Sequence, residues 1–468
     1  MLVLGVDIGT TSLKMGVFRL TDDALEPVRQ FSQGYAINVY NDGLCGDIEQ
    51  QKWKEAFIAG CRAVEDLVRD VEVISLSGTT PGLTAMAADG TALYPAILML
   101  DQRSRSQARR IIDTIGLDRL LEITANMPVA GGCSLAGILW LQENHPDLFR
   151  QTHKFGHSNT YLAHWLTGSY AIDPSSASLT ALYNTTRNDL TWNEEIAHAF
   201  DLSLDRLPQI VPAWQSVGKV LPSLAKELGL KKEPDVLIGG NDAVLAAYSV
   251  GIQEPGDIIN VNGTCEISLV CLPKCLPSLN YNIRAHVLPG RWLTLHVMNA
   301  GGKALEWFKS VFCTELTDND FYNDFLPRAV DAWLDRVAQP PPAGKSEESP
   351  PGAGVLQGST VTYVPYLMGS RYSLDPLKAE LQGLTQTTSR EEILAAIVRG
   401  LCQYQKNHLD EIERHIPLHD TIHITGGALN RVLIRAKQKW MRPARYVHEQ
   451  DSSTKGAALL ARLHLQNL

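Results

Sequence analysis

A carboxylate followed by a glycine and three hydroxyl residues stands near the start of the chain, in the stretch VLGVDIGTTSLKMGVFRL. Asp7 ends one apolar run, and Gly9, Thr10, Thr11 and Ser12 separate that run from a second one. The backbone N–H groups and hydroxyls of such a turn suit phosphate oxygens, and the carboxylate suits Mg²⁺, bound directly or through water. An ordinary hairpin turn explains the same residues, so both interpretations stay open.

A second turn of this kind lies in DIINVNGTCEISLV, where Gly263 and Thr264 separate two apolar runs. Farther along, TIHITGGALN takes an apolar run into Gly426 and Gly427, where a ribose or a phosphate can approach the backbone closely. A plain hairpin and a plain helix-entry turn are the alternatives. Because the second strand–turn–strand pattern repeats the first, the sequence predicts two related lobes.

Further polar residues follow two other apolar runs. Asp242 stands after Gly239-Gly240-Asn241 and before AVLAAYSVG, where it suits either a general base or a helix cap. Asp101 and Arg103 follow AILML, where they suit either the hydroxyls of a substrate or an ordinary surface ion pair. Neither pattern is specific by itself.

Apolar runs that alternate with helical periodicity predict an α/β protein. A strand is expected at 71–77, and helices are expected at 51–69, 104–122, 135–151 and 391–415. At 468 residues the chain suits two domains, which we place at 1–247 and 248–468. The Pro- and Gly-rich stretch 338–354 predicts an exposed loop inside the second domain, since it cannot bury a core.

Composition argues against several classes of protein. A formal charge of −9 without a Lys/Arg cluster argues against nucleic-acid binding, and no apolar stretch reaches the roughly 18–20 residues that span a bilayer. The P-loop, Rossmann and HExxH motifs are absent; GAGVLQG comes near a Rossmann motif but lies in the Pro-rich stretch. Eight scattered cysteines indicate reduced thiols, and the start of the chain has no signal-peptide pattern, so we expect a cytoplasmic protein.

The motifs follow one another in a defined order along the chain. An Asp-x-Gly-Thr-Thr hairpin precedes Asp-x-Arg, Gly-Gly-x-Asp, an Asn-Gly-Thr hairpin and Gly-Gly-Ala. With this order the chain resembles the FGGY family of carbohydrate kinases, within the actin-like, ribonuclease-H-type ATPase superfamily. Other segments similar to the family are GDIEQQKW, PAILMLDQRS, NAGGKALEWF, VPYLMGSR, LQGLT and SSTKGAALLA. The resemblance runs from Leu2 to about Ala461.

The resemblance implies an α/β fold of two actin-like (ribonuclease H-like) lobes with a nucleotide and sugar cleft between them. It implies ATP-dependent phosphorylation of a small-molecule sugar or polyol, with ATP and Mg²⁺ as cofactors. Asp242 matches the general base of the family, and Asp7 would orient Mg²⁺. The nucleotide would be bound by Gly9, Thr10, Thr11, Ser12, Gly263, Thr264, Gly301, Gly302, Gly426, Gly427 and Asn430. The substrate would be bound by Thr80, Pro81, Asp101, Arg103 and Asp242.

A few positions depart from the family pattern. Xylulokinases usually carry Gln-Met-His-Gly where this chain has Thr79-Thr80-Pro81-Gly82, and proline lacks the side-chain donor of histidine. A lysine common in those relatives is Gly137 here, and the Asp-Gly-Arg of many members is Asp101-Gln102-Arg103. A pentulose kinase such as xylulokinase is the first interpretation, and these departures put its ketopentose specificity in question.

Other functions stay open at this point. NYNIRAHVLPGRW resembles a stretch of the kinase of autoinducer-2, so that molecule, a sugar acid or a polyol is an alternative acceptor. An actin-fold ATPase without sugar-kinase activity and a non-catalytic sugar sensor are alternatives of other classes. The Asp101-x-Arg103 pair argues against the first and Asp242 against the second. The oligomeric state is open between a monomer and a homodimer.

Overall fold

The computed structural model describes residues 1–334, 361–373, 377–427, 429–450 and 452–467. The loop predicted at 338–354 lies outside the described residues. The chain divides into two compact units: the first contains Met1–Gln253, Leu272–Leu293 and Asp451–Leu468, and the second contains Glu254–Cys271 and Thr294–Gln450. The domain division at residue 247 stays a prediction.

The strands are numbered in chain order. They are β1 (Leu2–Ile8), β2 (Ser12–Leu20), β3 (Leu25–Gly34), β4 (Asn38–Tyr40), β5 (Cys45–Ile48), β6 (Val71–Gly78), β7 (Gly82–Met86), β8 (Ala96–Leu98), β9 (Lys154–Gly156), β10 (Ala171–Ile172), β11 (Gln209–Ile210), β12 (Ser216–Lys219), β13 (Asp235–Asn241), β14 (Ile258–Asn262), β15 (Glu266–Leu272), β16 (Asn282–Ala285), β17 (Trp292–Met298), β18 (Thr362–Val364), β19 (Glu380–Gln382), β20 (Thr421–Thr425) and β21 (Arg445–His448).

The α-helices are numbered in the same way. They are α1 (Gln51–Ala63), α2 (Glu65–Val68), α3 (Arg105–Ile115), α4 (Leu117–Thr124), α5 (Ser134–Asn144), α6 (Pro146–Gln151), α7 (Ser158–Thr167), α8 (Pro174–Ala177), α9 (Glu194–Ala199), α10 (Pro222–Glu227), α11 (Asp242–Ser249), α12 (Gly301–Phe312), α13 (Asp318–Asp320), α14 (Leu326–Leu334), α15 (Arg390–Glu413), α16 (Arg431–Trp440) and α17 (Ser453–Gln466). A 3₁₀ turn covers Leu204–Arg206 and a π-helical turn covers Phe321–Phe325.

The main sheet of the first unit has the strand order β12-β13-β6-β1-β2-β3. β1 pairs antiparallel with β2 and parallel with β6, and β13 pairs parallel with β6. In this register Asp7 lies opposite Ser77, and Asn241 lies opposite Gly78. The carboxyl ends of β1, β6 and β13 therefore meet at one edge of the sheet, the edge at which α/β proteins bind ligands.

A second sheet of the first unit has the strand order β4-β5-β8-β7-β9. All four residues of β5 are buried, although one of them is Asp47. Asp47 lies opposite Ile97 of β8 and opposite Asn38 of β4. This sheet thus carries a carboxylate into the interior next to the segment that leads to Asp101.

The second unit repeats the topology of the first. After β16, its six-stranded sheet continues in the order β17-β15-β14-β20-β21, with β14 antiparallel to β15 and parallel to β20, and β20 parallel to β21. The first unit has the same order in β3-β2-β1-β6-β13. The internal repeat predicted from the two hairpins is confirmed.

Three predicted helices are each divided in two. The segment 104–122 breaks at Gly116, whose φ is 86°, and 51–69 breaks at Val64. The segment 135–151 breaks at His145, because the residue before Pro146 is disfavoured in the helical region. The long helix predicted at 391–415 is confirmed as α15. Among the described residues, no helix is long and apolar enough to cross a membrane.

Helix α17 packs directly on β1 at Gly5. A Cβ atom at this position would lie 2.0 Å from the carbonyl oxygen of Thr454, which is backbone and cannot rotate away. We expect Gly5→Ala to lower the free energy of unfolding by about 1–3 kcal/mol or more, the usual cost of overpacking. Urea denaturation measures this change.

Gly34→Ala is the matched control for this substitution. The nearest atom to a Cβ at Gly34 is the Thr11 carbonyl oxygen at 3.9 Å, an ordinary contact. We expect this variant to be as stable as the wild type. Equal losses in the two variants would contradict close packing of α17 on β1.

Candidate active site

Asp7 is held at the carboxyl edge of the main sheet of the first unit. It is only 4% exposed, and its Oδ1 accepts a hydrogen bond from the Ser77 hydroxyl at 2.8 Å. Lys14 Nζ lies 3.9 Å from Oδ2. The carboxylate is thus fixed by the neighbouring parallel strand and retains the capacity to accept further bonds.

The turn after Asp7 is shaped by bonds to its carbonyl groups. Gly9 N–H donates to the Ser12 carbonyl at 2.9 Å, and Tyr35 donates its hydroxyl to the Gly9 carbonyl and its N–H to the Thr11 carbonyl. Within the described part of the chain, no acceptor takes the N–H of Thr10 or Thr11. These two donors are available to an anion, as the phosphate interpretation requires.

Asp242 is the first residue of α11, directly after β13. The helix cap is its neighbour Asn241, whose Oδ1 accepts the N–H of Val244 at 3.2 Å. Asn241 Nδ2 donates to Asp242 Oδ1 at 3.0 Å and to the Thr80 hydroxyl at 2.7 Å. Asp242 Oδ1 also accepts from Ala243 N–H at 2.7 Å. Capping is therefore done by Asn241, and Asp242 is left half-buried at the start of α11.

The environment of Asp242 favours its protonated form. Burial and the nearby Asp7 carboxylate raise its pKa to about 7, from an ordinary value of 3.8. The N–H of Ala243 and the hydroxyl of Thr79 act in the opposite direction. A carboxylate with a pKa near 7 is a stronger proton acceptor than a solvated one.

A buried hydrogen-bond network next to Asn241 was not predicted from the sequence. Asp173 is fully buried and accepts hydrogen bonds from the N–H groups of Ser175 and Ser176, and from Asn159. The Ser175 hydroxyl also donates to Asp173 and accepts the N–H of Asn241 at 2.9 Å. Burial raises the pKa of Asp173. The sequence signal was an N-cap pattern, Asp-Pro-Ser-Ser, which does not reveal the partner Asn241.

Asp101 and Arg103 form a buried ion pair, so the interpretation as a surface pair is wrong. Asp101 is fully buried, and its Oδ2 accepts from Gly46 N–H at 2.7 Å and from Arg103 Nε at 2.8 Å. Arg103 also donates to Asp47 Oδ2 at 2.9 Å and to the Tyr94 hydroxyl at 3.0 Å. The sequence reasoning missed Asp47 and Tyr94, although Asp47 lies in the quoted segment GDIEQQKW.

Aromatic rings and hydrogen bonds hold the charges of this cluster. The Arg103 guanidinium lies 5.1–5.9 Å from the ring centres of Tyr40, Tyr94 and Trp140. Burial alone would lower the pKa of Arg103, but its bonds to Asp101 and Asp47 raise it. Burial alone would raise the pKa of Asp47, but bonds from Arg103, Asn38 and Tyr40 lower it. Hydrogen bonds within the cluster thus favour the charged forms of Arg103 and Asp47 despite their burial.

The positions that depart from the family pattern have clear surroundings. Thr80 is fully buried, and its hydroxyl accepts a hydrogen bond from the side-chain amide of Asn241. Pro81, the next residue, has no side-chain hydrogen-bond donor. Gly137 lies in α5, where a Cβ would meet Leu83 Cδ2 at 2.6 Å. A lysine at position 137 would require Leu83 to move.

The second unit has its own turn, in which the N–H of Thr264 is available. Gly263 N–H donates to the Cys265 carbonyl at 3.0 Å, while the carbonyls of Gly263 and Thr264 accept from Gly302 and Lys303. The first residues of α12 thus pack against this turn. Over the described ranges, no acceptor takes the N–H of Thr264, as for Thr10 and Thr11 in the first unit.

The Gly426-Gly427 turn follows β20 in the second unit. Gly426 has a φ of +99°, and a Cβ there would lie 2.1 Å from the Asn262 carbonyl oxygen, so only glycine fits. A Cβ at Gly427 would meet nothing within 4 Å. Helix α16 begins at Arg431 and not at the glycines, and Asn430 caps it by accepting Leu433 N–H at 3.0 Å.

A pocket lies beside the Gly263-Thr264 turn within the second unit. Asn262, Gly263, Gly301 and Gly302 form one side of it. The rest of the lining is mostly apolar, with one ion pair: Leu305, Val398, Leu401, Cys402, Leu433, Glu266 and Lys437. The described residues contain no group of three acidic, His or Cys side chains that could hold a metal ion.

Comparisons with known proteins show the family of the chain. The model of the FGGY family of carbohydrate kinases, N-terminal domain, matches residues 2–249, and that of the C-terminal domain matches residues 259–462. The chain is 28% identical over 438 residues to the xylulose kinase of Lactococcus lactis, covering 92% of this chain and 80% of that protein. It is 32% identical over 181 residues to the autoinducer-2 kinase of Yersinia enterocolitica, covering 38% and 34%.

A solved structure gives the same result for the fold. The xylulose kinase from Rhodospirillum rubrum superposes with a TM-score of 0.86 at 19% identity, covering 99% of this chain and 90% of that one. The predicted two-domain α/β fold class is confirmed.

The buried Arg103 cluster gives a test of stability. We expect Arg103→Met to lower the free energy of unfolding by about 3–5 kcal/mol, because Asp47 and Asp101 would stay buried without their cation. Arg29→Met is the control, since the Arg29–Asp66 pair is 44% and 62% exposed and solvent screens its attraction. Denaturation at pH 7 compares the two variants. Similar losses would mean that the cluster is not held by its charges.

Proposed function

Because the chain belongs to the FGGY family of carbohydrate kinases, we propose that Asp242 is the general base with which it phosphorylates its acceptor. The chain is an ATP-dependent kinase of a small-molecule sugar or polyol hydroxyl. The observation that carries the proposal is the place of Asp242 at the carboxyl edge, next to Asp7 and with a pKa near 7. The Asp242 carboxylate accepts the proton of the acceptor hydroxyl as the hydroxyl oxygen bonds to the γ-phosphorus and the bond from that phosphorus to ADP breaks.

The two turns bind phosphate oxygens of ATP in this proposal. Thr10, Thr11 and Thr264 offer backbone N–H groups that no described residue accepts. Such donors are fixed before the reaction and stabilise the charge on the transferring group. Gly301, Gly302, Gly426, Gly427 and Asn430 of the second unit, with Gly9, Ser12 and Gly263, complete the proposed nucleotide-binding set.

We assign the Mg²⁺ site to Asp7. Mg²⁺ takes one or two carboxylates from the protein and its other ligands from phosphates and water, so a group of three protein ligands is not needed. Asp7 fits because Ser77 fixes one of its oxygens, and because the Asp242 carboxyl beside it is disfavoured in its charged form without a cation. When bound, the ion neutralises charge on the phosphates.

On the substrate side, we propose that Arg103 and Asp101 shape the pocket for the acceptor. Most hydrogen-bonding groups of Arg103 and Asp101 are already used in bonds to each other, to Asp47 and to Tyr94. Their main effect is therefore to fix the surrounding backbone and aromatic rings. Thr80 and Pro81 would line this pocket next to Asn241. A histidine in place of Pro81 would add a side-chain hydrogen-bond donor there. At position 81 the proposed pocket therefore lacks the side-chain donor that the family pattern provides.

D-xylulose is the first acceptor that we propose, on the likeness to xylulose kinases. The alternatives are autoinducer-2, a sugar acid and another polyol, which the local likeness and the Pro81 and Gly137 departures keep open. The actin-fold ATPase without kinase activity is not retained, since the family match spans both domains. A cytoplasmic location, with all eight cysteines as free thiols, and the oligomeric state stay predictions.

A thermal-shift screen identifies the acceptor. Pentuloses, hexuloses, polyols, sugar acids and autoinducer-2 are each added with an ATP analogue and Mg²⁺, because a ligand of the native state raises its apparent stability. We expect D-xylulose to raise the melting temperature more than D-ribulose does. A larger shift with a sugar acid or with autoinducer-2 would overturn the assignment of the acceptor and leave the kinase mechanism unchanged.

The proposed base is tested by Asp242→Asn. We expect turnover to fall by about 10²–10⁴-fold, the usual contribution of a general base, while an ATP analogue and the acceptor still bind. In the wild type, turnover should rise with pH through about 7, because only the ionised carboxylate accepts a proton. The residual rate of the variant should lack this rise. Wild-type turnover by Asp242→Asn would remove the assignment.

A further inference from the structure

A buried ion pair joins the two glycine-containing loops of the second unit. We propose that Glu266 and Lys437 are positioning residues for ATP, which set the distance between the Gly263-Thr264 turn and the Gly426-Gly427 turn. The inference rests on the proposed function in one respect: both turns are taken to contact the nucleotide. Neither side chain was among the predicted site residues, and the phosphotransfer mechanism does not use them.

The pair is buried, and one oxygen of Glu266 accepts both of the bonds described here. Lys437 Nζ lies 2.5 Å from Glu266 Oε1, and the side chains are only 5% and 7% exposed. Asn260 Nδ2 donates to the same oxygen at 2.9 Å. Enclosed charges of this kind attract strongly, but each costs several kcal/mol to desolvate, so the pair holds its geometry only while both members are present.

Glu266 is fixed at the base of the Gly263-Thr264 turn. It is the first residue of β15 and lies opposite Asn262, across the turn. A Cβ at Gly301 would lie 2.8 Å from Glu266 Cβ, so the start of α12 packs directly on this side chain. A shift of Glu266 would therefore displace both Gly263-Thr264 and the N-terminus of α12.

Lys437 connects this turn to the other loop. It lies on α16, two helical turns after the cap Asn430, which follows the Gly426-Gly427 turn. Asn262 Nδ2 donates to Asn260 Oδ1 at 3.0 Å and to the carbonyl of Thr425 at 3.4 Å, directly before Gly426. The strand ends are thus tied by Asn262, and helix α16 is tied to the hairpin by Lys437.

The ion pair lies in the wall of the pocket described above, where its position can affect a bound ligand. Glu266 and Lys437 line it together with Gly263, Gly301 and Gly302, and the rest of its wall is mostly apolar. An apolar pair would serve stability equally well, since replacing a buried ion pair by hydrophobic side chains is often neutral or stabilising. A charged pair instead fixes one relative position of the hairpin and α16.

Binding of a non-hydrolysable ATP analogue with Mg²⁺ to the full chain, followed by calorimetry, tests the proposal without a sugar. We expect Glu266→Gln and Lys437→Met each to weaken binding at least tenfold. The double variant should bind no more weakly than the weaker single variant, because each change removes the same interaction. Lys437→Arg should retain more affinity than Lys437→Met.

Lys406→Met is the matched control. Lys406 forms an i,i+4 pair with Asp410 on α15 of the same unit, with both side chains about two-fifths exposed at 38% and 40%. We expect its affinity for the analogue to stay within twofold of the wild type. Melting temperatures are measured for every variant, so that loss of stability is separated from loss of affinity.

Each outcome is decisive. If folded Lys437→Met binds the analogue as the wild type does, the pair is only structural and the proposal is wrong, whatever the melting temperature. If that single variant does not fold, the double variant replaces it, since no charge is then left unpaired, and wild-type affinity there equally overturns the proposal. A wild type that does not bind the analogue would instead overturn the proposed function.

Discussion

The parallel pairing of β1, β6 and β13 is the constraint on which the site depends. It places Asp7 opposite Ser77 and Asn241 opposite Gly78, so that residues 70 or more positions apart in sequence share one edge. The hydrogen bond from the Ser77 hydroxyl to Asp7 then fixes the carboxylate at 2.8 Å. A shift of one residue in the pairing of β1 with β6 would turn Asp7 to the opposite face of the sheet, and the same shift of β13 on β6 would displace Asn241 and Asp242.

The two units use one strand order but stabilise their turns differently. In the first unit a carboxylate on the central strand accepts a hydroxyl from the next strand, and its charge is available at the edge. In the second unit the corresponding strand β14 carries Asn260 and Asn262, whose amides donate to Ser268 of β15 and to the Thr425 carbonyl of β20. The buried Glu266 is paired with Lys437 of the same unit. The repeat is therefore structural, while the two carboxylates that we propose for the reaction, Asp7 and Asp242, both lie in the first unit.

Local sequence patterns predicted the elements well and their contacts poorly. Both hairpins, the strand before Asp242 and the long helix α15 follow from apolar periodicity and glycine positions, which act over a few residues. The breaks at Gly116 and His145 were missed because apolar periodicity continues across each of them, although Pro146 was a visible signal for the second.

The network around the site was not visible in the sequence. The bond between Thr80 and Asn241 spans 161 residues, and the pair of Glu266 and Lys437 spans 171. Such contacts are set by topology and not by local pattern. Asp101 and Arg103 were found, but their burial was not, because the side chains that enclose them, Asp47, Tyr94 and Trp140, come from separate segments. Asp242 was identified by its family position, and its raised pKa followed only from the three-dimensional proximity of Asp7.

The unusual acidity of Asp242 also links proton binding to folding. In the folded chain this carboxyl keeps its proton up to about pH 7, whereas a solvated one releases it near 3.8. The native state therefore holds an extra proton in that interval, and the resulting stabilisation is complete below the lower value and is lost as the pH rises through the upper one. Above neutrality the protein carries a charge that its own interior disfavours. The side chain that we propose as the general base is thus one whose charged form the folded state disfavours.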